Sequence, residues 1–402
     1  MKIGIVVDNE LNNDIRVLRE IGILKEQGFE IFVLCFGFSG LYKDPLSLIS
    51  VTRINIPRKL KDILFFLLNT IPVYEWLWSL YIKKFINHNS LDILHVHDLY
   101  MSRAAYKGIQ KTVRKIPLIL DLHENYPYTV STYNWTKGFI RGFISRPEAW
   151  KKKEYEYMRY ADRIIVLSDD FRDLLLKKYP ELSAESFVVL PNVPDLAQPE
   201  YNNDKAATYP FKQKFPVLFY YGVIAERRGI FEALEVFISL INEGCKVNLL
   251  LIGPVDKKDK THFSQLTGLV QIADRIHYIP WIDSKEFPAY LSISDICLAP
   301  FHKNPQHESG VANKIYDYML GGKPIIASNC KPQKELIEKH RCGLIFENTA
   351  EFHDMIIRLL NDRPLREEMG ENGRCAIMKK YNTEIVKDNL ILLYKTVIFK
   401  HN

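Results

Sequence analysis

Cysteine is scarce in this 402-residue sequence, and no two cysteines have the spacing of a redox or metal-binding motif. The six present, none of them in a C-x-x-C pair, are Cys35, Cys245, Cys297, Cys330, Cys342 and Cys375. Several lie in apolar runs, where a free cysteine behaves as a small hydrophobic residue. This pattern argues against a disulfide scaffold and a zinc ribbon. It predicts a reducing, cytoplasmic compartment and no metal site.

Long hydrophobic runs are missing as well. The longest uncharged stretch near the most basic part of the chain is residues 63–74, which includes Pro72. A helix that crosses a bilayer needs roughly 18 to 20 apolar residues, so this stretch is too short. The first apolar run, in MKIGIVVDN, is too short for a signal peptide and predicts a strand instead. We therefore expect a cytoplasmic protein, with attachment to the inner face of the membrane left open.

Neither sign of charge dominates the whole chain. The net charge is +6, which does not by itself indicate nucleic acid, and no nucleic-acid partner is predicted. The excess is local, because residues 51–153 hold 17 Lys or Arg against 7 Asp or Glu. That region is either an ordinary solvated face or a surface for anionic lipid or a phosphorylated acceptor. A nicotinamide dehydrogenase is disfavoured, since no Gly-x-Gly-x-x-Gly follows the first strand.

The sequence does contain a regular alternation of short β-rich apolar runs and helical patterns. The apolar runs are 3–7, 31–36, 93–97, 118–122, 163–168, 188–192, 217–222, 247–253, 275–279, 296–300 and 324–328. Helical patterns lie between them, for example at 14–27, 229–243 and 349–361. This alternation is typical of parallel sheets covered by helices on both faces. We predict an α/β protein with two doubly wound, Rossmann-like domains that face each other across a cleft, where ligands bind beyond the carboxyl ends of the strands.

A polar stretch that includes QPEYNNDKAATYP separates the two halves of the chain. It predicts a first domain over residues 1–195, a linker over 196–210 and a second domain over 211–382. The remaining residues, 383–402, are predicted to form a helix that packs back on the first domain.

The segment ESGVANKIYDYMLGGKPIIAS, residues 308–328, is the most informative part of the sequence. It predicts a polar loop, a short helix capped by Asn313, a double-glycine stop and a buried strand. The free N–H groups at the start of that helix, with Lys314 beside them, suit a phosphate. Asp317 lies one turn further on, where its carboxylate can accept hydrogen bonds from sugar hydroxyls. The segment therefore offers groups for both halves of a nucleotide-sugar.

Several segments together resemble the retaining glycosyltransferases of family 4, which have the two-domain GT-B fold. The segments are NDIRVLREIGILKEQGFEIFVL (13–34), DILHVHDL (92–99), LILDLHENYP (118–127), YADRIIVLSDDF (160–171), VVLPNVPD (188–195), YYGVIAERRGIFEALEVF (220–237) and 308–328. Each match is loose, but their order and spacing are specific. The resemblance implies a first domain for the acceptor and a second for the nucleotide-sugar donor.

The resemblance assigns the turn between two strands of the second domain to the donor diphosphate. Gly222 and Gly229 let the backbone approach the ligand closely, and Arg228 takes the place of a phosphate-binding lysine. Val223 stands where the family often has an arginine, so donor binding is expected to depend more strongly on Arg228. Arg227 is adjacent and offers a second guanidinium.

The resemblance also assigns the loop and helix of the donor-sugar motif. Asp317 takes the place of the glutamate that holds ribose hydroxyls, although its side chain is one methylene shorter. Counting back by the family spacing reaches Ser309, and Glu308 lies one position away as a candidate for the donor sugar. Asn313 and Lys314 complete the predicted donor-binding set. The alternative for Glu308 is an exposed loop acid.

In the first domain the resemblance places His123 beside the transferred sugar, as a hydrogen-bond donor to that sugar or to the acceptor oxygen. Together with Asp317 and Glu308 it forms the predicted catalytic group. His97 is an acceptor-side candidate whose alternative is a structural histidine, and for His95 the structural role is favoured. Glu124 is a further candidate for contact with the acceptor.

Two residues at the start of the first predicted helix resemble the acceptor-side loop of the family. Asp14 and Arg16 follow an Asn-rich turn, and Arg16 is predicted to meet an acceptor phosphate. The alternative is a helix cap and its solvated neighbour.

The reaction that the resemblance implies is transfer of a sugar from a nucleotide-diphosphate sugar to a hydroxyl, with retention at the anomeric carbon. Negative charge that develops on the departing diphosphate is met by Arg228, Lys314 and a helix N-terminus, without a metal. The leaving phosphate can take the acceptor's proton, so no protein base and no cofactor besides the donor is expected. UDP is the commoner nucleotide in the family. The expected acceptor is a lipid-linked or growing bacterial surface polysaccharide.

Two segments mix aromatic residues with Lys and Arg, namely 58–86 and 135–153. Such segments can lie in the headgroup layer of a membrane, with rings inserted and cations against anionic lipid. The alternative is an amphipathic helix packed on the domain core. Family relatives act on lipid-linked acceptors, which favours peripheral attachment.

Two other classes of function stay open at this point. A non-catalytic partner of an active transferase would keep the fold but lack a working acidic motif. A hydrolase or epimerase on the same fold would be distinguished by its products.

Overall fold

The computed structural model describes residues 1–38, 40, 49–194, 196 and 209–399. The chain divides into two compact units, Met1–Asn192 with Val386–Asn402, and Val193–Ile385. We call these unit 1 and unit 2. Most of the predicted linker, and the C-terminal residues from 400, lie outside the described residues. The helix predicted to return to the first domain runs through Thr383–Phe399, and from Val386 onward it belongs to unit 1.

Unit 1 is built on a seven-stranded, all-parallel sheet with the order β3-β2-β1-β4-β5-β6-β7. The strands are β1 (Lys2–Val6), β2 (Glu30–Gly37), β3 (Ser50–Asn55), β4 (Ile93–His97), β5 (Leu118–Asp121), β6 (Arg163–Val166) and β7 (Phe187–Val189). The chain order reverses between β1 and β4, and in such sheets ligands bind at that point, beyond the carboxyl ends of the strands.

The helices of unit 1 connect these parallel strands. They are α1 (Ile15–Glu26), α2 (Arg58–Phe66), α3 (Val73–Asn89), α4 (Ser102–Gln110), α5 (Tyr126–Thr132), α6 (Phe139–Ser145), α7 (Ala149–Met158) and α8 (Asp169–Lys178). Apolar residues of the strands and helices form one continuous core, in which Trp78 and Trp150 are fully buried.

Unit 2 repeats the architecture with a six-stranded parallel sheet in the order β10-β9-β8-β11-β12-β13. Its strands are β8 (Val217–Tyr221), β9 (Asn248–Ile252), β10 (Ile276–Ile279), β11 (Ile296–Ala299), β12 (Ile325–Ser328) and β13 (Gly343–Phe346). Its helices are α9 (Ile230–Asn242), α10 (Lys260–Thr267), α11 (Phe287–Ser292), α12 (Asn313–Leu320), α13 (Lys331–His340), α14 (Thr349–Asn361), α15 (Arg363–Lys380) and the start of α16 (Thr383–Phe399).

The prediction of two doubly wound α/β domains is confirmed, and every predicted apolar run contains a strand. Strands β3 and β13 were missed. Strand β3 (SVTRIN) alternates exposed residues with partly or fully buried ones, so its sequence lacks the continuous apolar run that indicates a buried parallel strand. Strand β13 (GLIF) is itself a short apolar run, and its place at a sheet edge does not explain the miss, since the edge strands β7 and β10 were predicted.

The two segments with mixed aromatic and basic residues take different structural roles. In segment 58–86, helix α3 packs Tyr74, Trp78 and Ile82 into the core of unit 1, as the alternative interpretation expected, whereas helix α2 buries no residue. Helix α6 instead exposes Phe139 and Phe143, at 91% and 69% of their surface. Among the described residues, no helix is long and apolar enough to cross a membrane.

Candidate active site

The loop that follows β8 brings backbone close to a lysine side chain. Gly222 has φ +129°, and a Cβ on it would lie 2.9 Å from Nζ of Lys314. Its N–H donates to the carbonyl of Ile252, which holds the loop against the end of β9. Glycine is required here because the backbone conformation and the close ammonium group both disfavour a side chain.

A second glycine fixes the start of α9. Gly229 has φ +66°, ends the 3-10 helix Glu226–Arg228 and precedes the first residue of α9. A Cβ on it would lie 1.6 Å from the carbonyl oxygen of Pro300, at the end of β11. This contact sets the side chain of Arg228 near the switch point between β8 and β11.

Arg228 and Lys314 both lie over the buried ring of Phe301, and we call these two cations the cation pair. Nζ of Lys314 is 5.1 Å from the centre of that ring and 3.7 Å from the centre of the Tyr220 ring. The guanidinium of Arg228 is 5.3 Å from the Phe301 ring. Aromatic faces attract cations, so the rings hold both groups at the carboxyl ends of β8 and β11.

The environment of Lys314 disfavours its positive charge. Burial lowers the pKa of its ammonium well below the usual 10.5, and the charge of Arg228 lowers it further, while Asp317 acts in the opposite direction. An anion placed against both cations would reverse the effect of Arg228, because it would offset the repulsion between them. The cation pair is therefore a place where a phosphate would be favourable.

The adjacent Arg227 has a different partner. Its Nη1 lies 3.0 Å from Oδ2 of Asp256. Burial raises the pKa of Asp256, but the hydrogen bond and charge of Arg227 outweigh it and lower that pKa below its usual value. Arg227 is thus held by a carboxylate, and the two neighbouring arginines have distinct environments.

A pocket of about 530 Å³ lies beside this loop, at the carboxyl ends of β9 and β10. The loops are in close contact, since a Cβ on Gly253 would lie 2.1 Å from the carbonyl oxygen of Gly222. The residues that line the pocket are Pro254, Val255, Lys260, Phe263, Ser264, Thr267, Gly268, Tyr278 and Pro280. Its mixture of apolar and hydroxyl-bearing side chains suits a flat polar ring.

Helix α12 starts one residue earlier than the predicted cap requires. Asn313 is the first helical residue, Ala312 occupies the cap position, and no side-chain cap is present. The prediction that Asn313 caps the helix is therefore wrong. At the other end the double-glycine stop is confirmed, since Gly322 has φ +66° and a Cβ on Gly321 would lie 2.2 Å from Leu291.

The predicted acidic residues of the donor-sugar motif lie in different settings. Oε1 of Glu308 accepts a hydrogen bond of 2.9 Å from the backbone N–H of Lys331, so it caps the start of α13. Ser309 is buried and donates to the carbonyl of Pro305. Asp317 is half-buried on α12, one turn after Lys314. Contact of Glu308 and Asp317 with a donor stays a prediction.

In unit 1, His123 follows β5 and belongs to a network of buried polar side chains. Its Nε2 lies 2.9 Å from Nδ1 of His97 and 3.4 Å from Oδ2 of Asp121. Burial lowers the pKa of His123, but the carboxylate of Asp121 outweighs it and raises the pKa to about 9. The side chain is 22% exposed, so His123 can present a hydrogen-bond donor to a ligand.

Arg16, on α1, belongs to the same network of buried polar side chains. Its Nε donates to Oε1 of Glu20 over 3.1 Å, and its Nη2 lies 2.8 Å from Oδ2 of Asp121. Burial would raise the pKa of Asp121, but the charges of Arg16 and His123 hold it well below its usual value. Arg16 is buried and paired with two carboxylates, and its contact with an acceptor phosphate stays a prediction.

The two histidines of β4 are buried, at 0% exposure for His95 and 1% for His97. Nδ1 of His95 lies 2.7 Å from the hydroxyl of Tyr394 on α16, which confirms the structural role favoured for it. Burial lowers the pKa of His95 well below its usual value. His97 is buried and contacts His123, as its alternative structural interpretation expected, and its contact with an acceptor stays a prediction.

Glu124 and Asp14 complete the predicted set. The hydroxyl of Tyr133 donates to the carboxylate of Glu124 over 2.9 Å. Burial and the nearby charge of Asp98 raise the pKa of Glu124 to about 7. Asp14 caps α1 by accepting from the N–H of Val17, as its alternative interpretation expected.

Sequence reasoning missed three residues that shape these groups. Asp121 lies two positions before His123 in LILDLHENYP, and this strand spacing could have identified it. Glu20 lies on a predicted helix that otherwise resembles an ordinary amphipathic one. Phe301 lies in a loop, and its place beneath the cation pair depends on the contact between Gly229 and Pro300.

Two family models match the chain. Glycosyltransferase Family 4 matches residues 16–198, and Glycosyl transferases group 1 matches residues 202–375. Alpha-D-kanosaminyltransferase of Streptomyces kanamyceticus is 24% identical over 331 residues, which cover 80% of this chain and 81% of that protein.

Solved structures show the same fold over the whole chain. Sucrose-phosphate synthase from Thermosynechococcus elongatus has a TM-score of 0.74 at 16% identity, with 100% of both chains covered. HepE of Anabaena, solved in complex with UDP, has a TM-score of 0.67 at 14% identity and covers 98% of this chain and 100% of its own.

Proposed function

Since the chain belongs to glycosyltransferase family 4 and has the GT-B fold, we propose that it transfers a sugar from a nucleotide-diphosphate sugar to a hydroxyl acceptor. The proposed donor is a UDP-sugar, the anomeric configuration is retained, and the acceptor is a lipid-linked or growing surface glycan. The cation pair carries this proposal, because it offers two positive groups at the carboxyl ends of parallel strands, where a diphosphate is expected.

The proposed diphosphate lies between the cation pair and the N-terminus of α12. Arg228 can hold phosphate oxygens with two parallel N–H groups, and Lys314 adds a point charge. The glycine at 222 leaves room for phosphate close to the backbone. These groups would stabilise the charge that develops as the diphosphate departs, so the proposed step uses no metal.

The pocket beside Gly253 is proposed to hold the nucleotide base. It adjoins the Gly222 loop, and its apolar walls from Pro254, Phe263 and Tyr278 suit a planar ring. Asp317 is proposed to accept hydrogen bonds from ribose hydroxyls. The uridine diphosphate in HepE supports UDP as the first nucleotide to test.

His123 is proposed to donate a hydrogen bond from unit 1 to the transferred sugar or to the acceptor oxygen. Asp121 and His97 fix the ring, since both lie against its Nε2. The opposite ring nitrogen is then the donor available to a ligand. Glu124 is proposed to accept a hydrogen bond from an acceptor hydroxyl, while the leaving phosphate takes the proton.

Two neighbouring arginines provide a matched test of this proposal. Replacing Arg228 by Ala is expected to lower kcat/KM for transfer by about 10²- to 10³-fold, because a group that stabilises developing charge is lost. Replacing Arg227 by Ala removes only its pair with Asp256 and is expected to change the rate by less than about tenfold. Sugar transfer from a panel of nucleotide-sugars, followed by product analysis, gives both numbers. Equal effects of the two substitutions would contradict the role of Arg228.

One observation favours a second candidate, a non-catalytic partner of an active transferase. Glu308 is the acid closest to the place of the missing family glutamate, and its carboxylate caps α13. The two candidates differ in outcome, since a partner would be stabilised by UDP or GDP without releasing nucleotide from any donor. A thermal-shift screen followed by nucleotide-release assays separates them.

Peripheral attachment to the inner face of the membrane is also proposed, through helix α6. Phe139, Ile140 and Phe143 are exposed at 91%, 72% and 69%, and Arg141 lies among them. The side-chain amide of Asn69 donates to the carbonyl of Ser145, which anchors the end of this helix to unit 1. Exposed rings beside cations match an anionic headgroup layer.

Flotation with vesicles that contain anionic lipid tests this attachment. The native chain is expected to float with the vesicles at low salt, and replacing Phe139 and Phe143 by Ser is expected to abolish flotation. Replacing the exposed Val270 of unit 2 by Ser is the control, since it removes an apolar side chain elsewhere. Failure of the native chain to bind would reject the proposal.

A further inference from the structure

Four potential metal ligands converge inside unit 1 from three different elements. Glu20 lies on α1, His95 and His97 on β4, and Asp121 on β5. Each can offer one ligand atom such that all four atoms lie within 4.8 Å of one another. All four residues are less than 5% exposed. The two histidines alternate with Val96 along the strand, which places both rings on one face.

All four residues have a buried polar atom without a hydrogen-bond partner, but that of Asp121, Oδ2, is ion-paired with Nη2 of Arg16 over 2.8 Å. The other three atoms are Oε2 of Glu20, Nε2 of His95 and Nε2 of His97. A buried acceptor or donor that has lost water and gained no partner is costly, and native proteins rarely leave three together. A further species that satisfies all three at once is therefore expected at this point.

The opposite side of each ligand is already held by another group. Nδ1 of His95 lies 2.7 Å from the Tyr394 hydroxyl, and Nδ1 of His97 lies 2.9 Å from Nε2 of His123. Oε1 of Glu20 accepts from Nε of Arg16. In metal sites the ring nitrogen that does not bind the ion is commonly fixed by such an outer partner.

We propose that Glu20, His95 and His97, with Asp121 as a weaker fourth ligand, bind one divalent transition-metal ion. Two imidazoles and carboxylate oxygens suit Zn²⁺, Co²⁺ or Fe²⁺, and Zn²⁺ is the first candidate. The ion would join α1 to β4 inside unit 1. Its proposed role is structural, it takes no part in sugar transfer, and it does not depend on the proposed transferase function.

The charges around Asp121 limit the affinity. Its Oδ2 lies 2.8 Å from Nη2 of Arg16 and 3.4 Å from Nε2 of His123. These groups oppose a cation there, which makes Asp121 the weakest of the four ligands. We expect tighter binding than that of a surface histidine pair and weaker binding than that of a closed zinc site with thiolate ligands.

Metal titration of the full chain tests the proposal. Protein stripped with a chelator is expected to take up one Zn²⁺ per chain and to gain thermal stability when it does. Co²⁺ is expected to give the visible absorption of a low-coordinate site that contains nitrogen ligands. Metal content, the Tm difference and the cobalt spectrum are all independent of transferase activity.

Paired substitutions locate the ligands. Replacing Glu20 by Gln is expected to weaken Zn²⁺ binding by more than about tenfold, whereas replacing Glu26 by Gln on the same helix is expected to leave it unchanged. Replacing His95 by Gln is likewise expected to weaken Zn²⁺ binding, whereas replacing His88, an exposed histidine of α3, by Gln is expected to leave it unchanged. If His95→Gln fails to fold, the Glu20 pair still decides the result.

The contrary outcomes are equally definite. A chain that takes up no metal, shows no Tm change with Zn²⁺ and gives no cobalt spectrum would overturn the proposal, and a buried water would then satisfy the three atoms. Equal losses in Glu20→Gln and Glu26→Gln, or in the two histidine variants, would assign the uptake to the surface and overturn it as well.

Discussion

Units 1 and 2 have the same parallel, doubly wound sheet but hold buried positive charge in opposite ways. In unit 1, Arg16 lies between the carboxylates of Glu20 and Asp121, and its guanidinium stabilises the fold around it. In unit 2, Lys314 lies over the rings of Tyr220 and Phe301, where burial lowers its pKa. The first cation is needed by its neighbours, whereas the second is disfavoured by its surroundings.

This difference gives a criterion that separates a buried cation that stabilises the fold from one that is suited to bind an anionic ligand. Removing one partner from a buried ion pair leaves the other without compensation, so the pair is coupled to folding. A cation with a lowered pKa contributes little to the folded state alone and becomes favourable when an anion arrives. On this criterion the network of Arg16 supports unit 1, and the cation pair is the proposed binding group of unit 2.

The largest expected effect comes from replacing each cation by Met. Arg16→Met leaves the buried carboxylate of Glu20 without its cation and Asp121 with His123 alone, and it is expected to cost about 3 to 5 kcal/mol of folding free energy. For a unit of this size that corresponds to a fall in Tm of roughly 6 to 20 °C. Lys314→Met removes a charge that burial disfavours, so the Tm of this variant is expected to equal or exceed that of the native chain. Calorimetry of both variants without ligand gives the comparison, and a larger loss for Lys314→Met would break it.

An intermediate effect is expected from the glycine beside Lys314. Gly222→Ala places a methyl group where the ammonium lies and is expected to lower UDP affinity by about tenfold, besides a strain of about 1 to 3 kcal/mol. Gly244→Ala is the matched control, because Gly244 also has positive φ but a Cβ there meets nothing within 4 Å. Titration calorimetry measures the affinities. Equal UDP affinity in both variants would show that Gly222 does not contribute to UDP binding.

The smallest expected effect is the pH dependence of UDP binding. Because the pKa of Lys314 lies below 10.5 in the free protein, the ammonium loses its proton as the pH rises through that lowered value, and binding of the anion then requires proton uptake. Affinity should fall by at most tenfold for each pH unit above the free-protein pKa. Measurements from about pH 7.5 upward avoid the titration of the phosphate itself.

Lys314→Arg supplies the control for this pH dependence. A guanidinium stays charged at every pH used, so the variant is expected to bind UDP with nearly constant affinity across the range. A slope that persists unchanged in Lys314→Arg would show that another group titrates, and it would remove Lys314 from the comparison.

Much of the fold could be predicted because its signal is local. Central strands such as LILDL and VNLLLIG are buried on both faces, so their sequences are continuous apolar runs that periodicity detects. Strand β3 was missed because exposed polar residues interrupt its apolar pattern. The stop at Gly322 was predictable, since glycine takes its left-handed conformation at low cost.

The candidate site was predictable only in part. Arg228 and Lys314 were identified by their places in segments that resemble a family. The pairing of Arg16 with Asp121 was not, because Asp121 is separated from it by 105 residues and meets it only when β5 and α1 pack together. The same holds for Asn313, whose neighbour Ala312 takes the cap position because the incoming loop, and not residue preference, sets where α12 begins.

The amino-acid sequence by itself determined two α/β domains, their order along the chain and which charged residues are candidates for a nucleotide-sugar site, because helix and strand periodicity and short motifs are properties of neighbouring residues. The tertiary structure decided which of those charges are already neutralised. Pairing of Arg16 with Asp121, burial of His97 and the contact of Lys314 with the ring of Tyr220 all depend on elements far apart in the chain. Electrostatic environment is a property of three-dimensional neighbours, and only the packed molecule defines them.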